Sequence, residues 1–168
     1  DIILGDDGEI DYEVITGIIE EIFTYFDLAA IAVGGVDHAY GNKHDDIIFG
    51  GIAGDFLKGD DGLDGDDVIL GDNGAIVFAA DDGGAIMIAT IKTTDISEVS
   101  GGPDTIEGQD DNDVIIGGVN NGGPDLLYGD RAIPTGPSIV ADDQDIILGD
   151  NGELIFNLDG DTDLDTLD

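Results

Sequence analysis

A five-residue phrase, Asp-x-apolar-x-Gly, recurs along the chain and constrains its fold more than any other sequence feature. The phrase occurs nine times, and its fifth residue is Gly in every copy. Its third residue is Ile or Leu in eight copies, and Ala39 is the exception. The copies begin at Asp1, Asp37, Asp46, Asp55, Asp67, Asp104, Asp113, Asp125 and Asp145. Such regularity predicts a repetitive fold in which each copy occupies an equivalent position.

The spacing of the phrases predicts short parallel strands. The phrases follow one another at short, regular intervals, as at Asp37, Asp46 and Asp55, and two long gaps precede Asp37 and Asp104. The central x-apolar-x favours a strand of about three residues, with its middle side chain pointing inward and both neighbours facing water. A glycine-rich turn then reverses the chain, so that two phrases form one coil of roughly 18 residues. The expected fold is all-β: a right-handed parallel β-roll, or β-solenoid, with inserted β-hairpins.

A near-identical line opens three parts of the sequence. It reads DIILGDDGEI at residue 1, DVILGDNGAI at residue 67 and DIILGDNGEL at residue 145. We therefore expect repeat unit one over 1–66, repeat unit two over 67–144 and the start of a third unit over 145–168. All three are expected to form one continuous solenoid.

The long gaps between phrases contain apolar runs rather than further phrases. Residues 8–27 and 74–95 each contain two such runs around a turn, which predicts a β-hairpin in each gap. A short helix over Ile18–Phe26 is the alternative for part of the first gap. Leu154–Phe156 is expected to begin a third hairpin, closed by Asp159–Gly160. Arg131–Val140 contains two prolines and predicts a surface loop.

The charge of the chain is strongly negative. Forty acidic residues against four basic ones give a formal charge of −36. This excludes nucleic acids and anionic lipid surfaces as partners, because both require clustered basic residues. The sequence contains no apolar run long enough to predict membrane insertion. The absence of cysteine excludes disulfides and thiolate metal sites.

The acidic residues are mostly aspartate, 33 Asp against 7 Glu. Aspartate favours turns and is a short-armed oxygen ligand. A solvated or salt-adapted surface is the alternative explanation, but it does not require a fixed phase within the repeat. Besides the phrase aspartates, five more directly follow a phrase glycine: Asp6, Asp60, Asp72, Asp130 and Asp150.

The segment GGIAGDFLK at residues 50–58 resembles the calcium-binding nonapeptide of the repeats-in-toxin (RTX) family, G-G-x-G-x-D-x-U-x. It departs from that pattern at Ala53, which replaces the fourth-position glycine. The resemblance implies a parallel β-roll in which turn carbonyls and the sixth-position aspartate bind several Ca²⁺ ions. That role falls on Asp37, Asp46, Asp55, Asp67, Asp104, Asp113, Asp125 and Asp145, and on Asp1 if an earlier coil precedes it. Asp60, Asp72, Asp130 and Asp150 are further candidate metal ligands because they follow phrase glycines.

Physical chemistry supports calcium independently of the resemblance. Ca²⁺ accepts six to eight carboxylate and carbonyl oxygens in tolerant geometry, whereas Mg²⁺ requires a stricter octahedron. Carboxylates stacked about 4.8 Å apart repel strongly unless a cation lies between them. The alternative is an array of Asp–Gly turns stabilised by hydrogen bonds alone. Residues 159–165, DGDTDLD, resemble the start of an EF-hand loop, and they are either another cation site or an acidic linker. His38 and His44 lack partners at zinc-ligand spacing, which favours solvated turn residues.

These features predict a structural protein rather than an enzyme. We expect a calcium-stabilised repeat module of a secreted or cell-surface protein, because extracellular calcium modules bind in the range of about 10⁻⁴–10⁻³ M. Its expected partner is itself, either in an end-to-end extracellular filament or as neighbouring repeats of a longer chain. A calcium-dependent adhesin or ligand-binding module of a larger RTX protein is the alternative.

Overall fold

The computed structural model describes residues 1–24, 34–60, 65–95, 100–130 and 144–158. Within these ranges the chain forms fourteen β-strands in three sheets, which confirms the all-β class. The strands are β1 (Ile2–Leu4), β2 (Gly8–Tyr12), β3 (Ile19–Thr24), β4 (His38–Asn42), β5 (Ile47–Phe49), β6 (Phe56–Asp60), β7 (Val68–Leu70), β8 (Gly74–Ala80), β9 (Ile86–Thr93), β10 (Thr105–Gln109), β11 (Val114–Ile116), β12 (Leu126–Asp130), β13 (Ile146–Leu148) and β14 (Glu153–Ile155).

The phrases form two parallel sheets. The central sheet has the order β1-β5-β7-β11-β13, and the outer sheet has the order β12-β10-β6-β4. From β4 to β7 and from β10 to β13 the chain alternates between the two sheets. His38 pairs with Phe56, which lies two phrases further along the chain, and Ile47 pairs with Val68, also two phrases further. The predicted parallel pairing of phrases is therefore confirmed.

The third residue of the phrase points into the space between the two parallel sheets, as predicted. This core consists of Ala39, Ile48, Leu57, Ile69, Ile106 and Ile115, with Ile3 and Leu127 packed against it. Ile147 occupies the same phrase position but is 44% exposed. The difference arises because Ile147 lies on β13, the last strand of the central sheet.

The gaps between phrases form antiparallel strands. β2 pairs with β3 and β8 pairs with β9, which confirms the two predicted hairpins. Ile19–Thr24 is a strand, so the alternative of a helix is wrong over the part of Ile18–Phe26 that the structure describes. β14 begins where the third hairpin is predicted, and it pairs with β9. The hairpins join into one sheet, the hairpin sheet, with the order β14-β9-β8-β3-β2.

The prediction of a single right-handed parallel β-roll, continuous over all units, is wrong. The molecule has three sheets, two parallel and one antiparallel, and the hairpin sheet packs on the second face of the central sheet. The prediction that the residues flanking the middle position face water is wrong for Val68, Leu70 and Ile116. They are buried between the central sheet and the hairpin sheet, together with Ile22 and Ile76.

The physical reason lies in the phrases themselves. Those of the central sheet carry three consecutive apolar residues, as in DIILG, DIIFG, DVILG and DVIIG. A strand that is apolar on both faces must be covered on both faces. The phrases of the outer sheet, DHAYG, DFLKG, DTIEG and DLLYG, keep a polar or aromatic residue beside the middle position. Within the described ranges, their second face is covered by no further sheet and carries the exposed Tyr40 and Leu126, whereas Glu107 on the same face is buried and pairs with Lys58.

Some predictions fall on parts of the chain that the structure does not describe. These are the loop at Arg131–Val140, the turn at Asp159–Gly160 and the acidic segment at 159–165. Within the described ranges, no helix has the length and apolar character needed to cross a membrane.

Candidate cation sites along two aspartate ladders

The aspartates that precede the outer-sheet strands form a hydrogen-bonded ladder, here called the outer ladder. The backbone N–H of Asp37 donates to Oδ1 of Asp55 at 2.7 Å, and that of Asp55 donates to Oδ1 of Asp104 at 2.7 Å. The N–H of Asp104 donates to Oδ1 of Asp125 at 3.0 Å. Each carboxylate therefore caps the start of the neighbouring strand.

The aspartates that precede the central-sheet strands form an equivalent central ladder. The nitrogen of Asp1 donates to Oδ1 of Asp46, and the N–H of Asp46 donates to Oδ1 of Asp67 at 2.8 Å. The N–H groups of Asp67 and Asp113 donate to the next carboxylates, at 2.9 and 3.0 Å. The second of these acceptors is Oδ1 of Asp145. All nine phrase aspartates thus belong to one of the two ladders.

In the residues that lie away from the ends of the two ladders, the second carboxylate oxygen, Oδ2, has no hydrogen-bond partner in the described part of the chain. Oδ2 is buried without a hydrogen bond in five ladder residues that are at most 3% exposed: Asp46, Asp55, Asp67, Asp104 and Asp113. An unsatisfied buried polar atom costs about 1–3 kcal/mol, and more when it is charged. The described part of the protein therefore provides no hydrogen bond to one of the two oxygens in each of these five carboxylates.

The invariant glycines explain how Oδ2 approaches the backbone so closely. A Cβ added to Gly50 would lie 2.5 Å from Oδ2 of Asp55, and one added to Gly41 would lie 2.5 Å from the carbonyl oxygen of Gly59. Any side chain at these positions would collide with the carboxylate and with the next layer. Carboxylate and carbonyl oxygens consequently gather at each turn.

Burial raises the pKa of the ladder carboxyls well above the usual value of 3.8. The pKa rises to about 7 for Asp55, about 8 for Asp67, and about 9 for both Asp104 and Asp113. Desolvation is the largest cause, and repulsion from neighbouring carboxylates adds to it. The ladders are therefore sites at which a proton or a metal cation would relieve a large electrostatic cost.

The four candidates outside the phrases lie beside the same ladders. Asp60 is buried, and it raises the pKa of Asp67 and Asp113 by repulsion. Asp72 is also buried, and it raises the pKa of Asp104. The two exposed candidates, Asp130 and Asp150, repel Asp145 and Asp125 respectively. The structure thus brings all thirteen predicted residues to two rows of turns, one along each ladder.

The donor set is compatible with calcium but not with a site made only of side chains. Among the described residues, no three Asp, Glu, His or Cys side chains converge as a metal-binding group. A cation at these turns would need backbone carbonyls together with one or two carboxylates, a mixture that Ca²⁺ accepts. The buried Oδ2 atoms beside glycine carbonyls provide that mixture.

Two features of the site were not predicted. Ala53, at the position where the RTX pattern has glycine, has φ = +80°, so it adopts the left-handed conformation that glycine favours. Asp6 was not predicted as a ligand, yet its Oδ2 accepts the N–H of Ile52 at 2.5 Å. The signal for Asp6 was its equivalence to Asp72, since both directly follow the first phrase glycine of a unit.

No family model, no curated protein and no solved structure matches this chain. The relationship to the RTX family is therefore a resemblance of the repeated residues.

Proposed function

We propose that this chain is a calcium-stabilised structural module of a secreted or cell-surface protein. The observation that carries the proposal is the row of buried ladder carboxylates, each with one oxygen used by the backbone and the other left without a donor. Cations at the turns would neutralise these groups and connect successive strands. Metal binding would then be part of the folding free energy.

The distribution of charge favours this proposal over turns stabilised by hydrogen bonds alone. A single hydrogen bond satisfies Oδ1 but leaves the negative charges of neighbouring ladder members facing one another. Among the described residues, no Lys or Arg side chain pairs with a ladder carboxylate. The lysine ion pair in those ranges joins Lys58 to Glu107, at 2.5 Å, on the outer sheet. The N-terminal ammonium of Asp1 pairs with Asp46. At the other ladder members, the compensating charge would come from solution.

Calcium-dependent folding is tested by circular dichroism on the metal-free chain. We expect the β-sheet signal and a compact hydrodynamic radius at about 1 mM Ca²⁺, and their loss in excess EGTA. Equal Mg²⁺ is the control, and it should restore less structure because its coordination is stricter. A chain that remains folded in EGTA at low ionic strength and neutral pH would contradict the proposal.

The module is proposed to associate with further repeats of its own kind. Gly71 and Gly149 both end central-sheet phrases, but only Gly71 is covered, by the carbonyl oxygen of Gly117. Gly149 has no atom within 4 Å of its added Cβ, since β13 is an edge strand. Another repeat would cover Gly149 in the way that Gly117 covers Gly71, whether it comes from a second copy or from the same chain.

This association is tested by sedimentation velocity at about 1 mM Ca²⁺. The wild-type chain should form larger species as its concentration increases, and Gly149→Ala should remain monomeric and folded. Monomers alone in both proteins, with calcium present, would refute self-association.

The outer sheet favours one second candidate, a calcium-dependent ligand-binding module. The Phe56 ring contacts those of His38 and Tyr40 in tilted arrangements, with centroid distances of 5.6 and 6.1 Å, and Nζ of Lys58 lies 5.5 Å from the centroid of the Phe56 ring. Tyr40 is 47% exposed, so the cluster offers an aromatic surface to solvent. Stacking on aromatic rings with polar groups beside them suits a sugar. A glycan array tests this candidate, with Tyr40→Ala expected to abolish any calcium-dependent signal and an empty array refuting it.

A further inference from the structure

Asp72 occupies a cradle made by two Gly-Gly dipeptides. Its carboxylate lies against Gly101 and Gly118, where any added Cβ would collide with it. Gly118 has φ = +102°, which allows the N–H of Val119 to point at Oδ2 of Asp72 and donate to it. Asp72 itself is only 1% exposed. The backbone at these glycines therefore holds the Asp72 carboxylate in the interior of the protein.

Other oxygen atoms near Asp72 also lack donors. Its own Oδ1 and Oδ2 of Asp104 are both buried without a hydrogen bond. Asn120 follows Val119 and donates its Nδ2 to Oδ2 of Asp125 at 3.1 Å, which leaves its Oδ1 buried and unpartnered. Asp72 and Asp125 both repel Asp104, and Asp125 also repels Asp72, so these groups and Asn120 lie in one neighbourhood. A backbone N–H satisfies one oxygen of Asp72 and one of Asp104, and the other oxygen of each carboxylate is available together with the amide oxygen of Asn120.

Asp72 also stands where the three sheets meet. It follows β7 of the central sheet and precedes β8 of the hairpin sheet, and Asp104 directly precedes β10 of the outer sheet. The next residue, Asn73, is fully buried and donates its Nδ2 to Oδ2 of Asp95 at 2.8 Å. Asp95 lies just beyond β9 and repels Asp72. A charge placed here acts on all three sheets.

We infer that Asp72, Asp104 and Asn120 form a further cation site, outside the repeated phrase, at which a calcium-like divalent ion connects the hairpin sheet to the two parallel sheets. This inference rests on the proposed function, because Asp104 is shared with the outer ladder. It adds a site that the nine-copy phrase does not generate. The site should bind the most tightly, because the glycine cradle already positions Asp72.

The first unit provides an internal comparison. Asp6 lies between Gly34 and Gly51 as Asp72 lies between Gly101 and Gly118. Asp6 is only half-buried, however, and Ala53 stands at the position equivalent to Asn120. The amide oxygen is therefore missing in unit one, which predicts a weaker site or none at Asp6.

The inference is tested by equilibrium dialysis of the full chain against radioactive Ca²⁺, with bound ions counted per molecule. The variant Asp72→Asn keeps an acceptor for the N–H of Val119 while removing the charge. We expect it to bind one ion fewer than the wild type, with the tightest class of sites lost. The matched control Asp6→Asn should keep that class. The same number of ions at unchanged affinity in Asp72→Asn would overturn the inference.

A second variant covers the case in which Asp72→Asn does not fold. Asn120→Ala leaves every carboxylate in place and should weaken the tightest class of sites at least tenfold without changing the others. Unchanged affinity in Asn120→Ala would also overturn the inference. If the wild-type chain itself bound no calcium, the proposed function would fail as a whole. If only calcium binding at the Asp72 site were absent, calcium binding at the ladder sites would still be supported.

Discussion

Replacing two neighbouring ladder carboxylates by amides should stabilise the fold strongly without calcium and much less with it. The double variant Asp67→Asn/Asp113→Asn retains an Oδ1 acceptor at each position, so the N–H groups of Asp46 and Asp67 keep their partners. It removes two carboxyls that are each 1% exposed, with pKa values raised to about 8 and about 9. Without a cation, that removal should stabilise the fold.

The magnitude follows from proton linkage. Because the folded pKa is raised, each carboxyl contributes its full stability below pH 4 and loses it as the pH rises towards the folded pKa. The loss is about 1.4 kcal/mol per pH unit for each group, or about 4 kcal/mol between pH 4 and pH 7. Desolvation is the largest cause at both groups, so the two losses sum to about 8 kcal/mol for the pair. The metal-free variant should be more stable than the wild type by up to this amount at pH 7, and nearly equal to it at pH 4.

With saturating calcium the advantage of the variant should shrink. Each substitution removes a charged ligand, and a tenfold loss of affinity at each of two sites lowers the advantage by about 3 kcal/mol. The assay is urea denaturation followed by circular dichroism, with a stabilising osmolyte added equally to all samples where the metal-free wild type is unfolded.

The matched control for this comparison is Asp11→Asn/Asp82→Asn, which removes two carboxylates from exposed positions, one on β2 and one in the turn between β8 and β9. It should change stability by less than about 1 kcal/mol in either condition. A double variant of Asp67 and Asp113 that is less stable than the wild type by the same amount in calcium and in EGTA would refute the reasoning and support turns stabilised by hydrogen bonds alone.

Three further predictions concern pH, packing and the turns. The melting temperature of the metal-free wild type, measured in the same stabilising osmolyte, should fall as the pH rises from 5 to 8. The reason is that the folded chain keeps protons on buried carboxyls that the unfolded chain has released. Calcium should remove most of this dependence, and a melting temperature that increases over the same range would contradict the assigned pKa shifts. Leu70→Ala should lower the free energy of unfolding by about 2–5 kcal/mol in urea denaturation, because Leu70 is fully buried between the central and hairpin sheets. The control Leu126→Ala, at a position that is 51% exposed, should lower it by under about 1 kcal/mol. Similar losses in the two variants would show that the hairpin sheet does not cover the central sheet. Gly71→Ala should prevent folding or cost more than about 3 kcal/mol, because the added Cβ would collide with Oδ2 of Asp104 and the carbonyl of Gly117. The control Gly149→Ala should leave the melting temperature of the monomer nearly unchanged. Equal destabilisation by the two substitutions would contradict the layered turns.

The local structure was predictable because the phrase is strict. A strand flanked by Asp and Gly, with one inward side chain, leaves few arrangements, and Ile48, Leu57 and Ile106 are buried as expected. The pairing of each strand with the strand two phrases further, as between β4 and β6 or β5 and β7, also follows from counting phrases. Both are short-range consequences of the repeat.

The third sheet was not predictable from the phrases alone, because it depends on contacts between distant segments. β3 and β8 belong to different hairpins, yet Ile22 pairs with Ile76 across the sheet. The sequence contains a signal for this, since the residues that flank the middle position of β7, Val68 and Leu70, are apolar. Assigning these flanking side chains to solvent is wrong, because a strand that is apolar on both faces requires a second layer.

The candidate site was predicted at the level of residues, but the arrangement of its oxygens was not. The phase of the aspartates located both ladders, because every phrase places its Asp one residue before a strand. Which oxygen of a ladder carboxylate accepts a hydrogen bond depends on the position of the backbone N–H in the neighbouring layer, as between Asp46 and Asp67. The Asp72 cradle depends on two Gly-Gly dipeptides distant in sequence, at 101–102 and 117–118. Such contacts cannot be derived from a local pattern.

Anomalous diffraction from crystals grown with calcium, and with terbium in its place, tests the central claim most directly. The account predicts peaks beside the buried Oδ2 atoms of both ladders, including those of Asp55, Asp67, Asp104 and Asp113. Maps without peaks at these positions, in which the same oxygens accept hydrogen bonds from water, would contradict it.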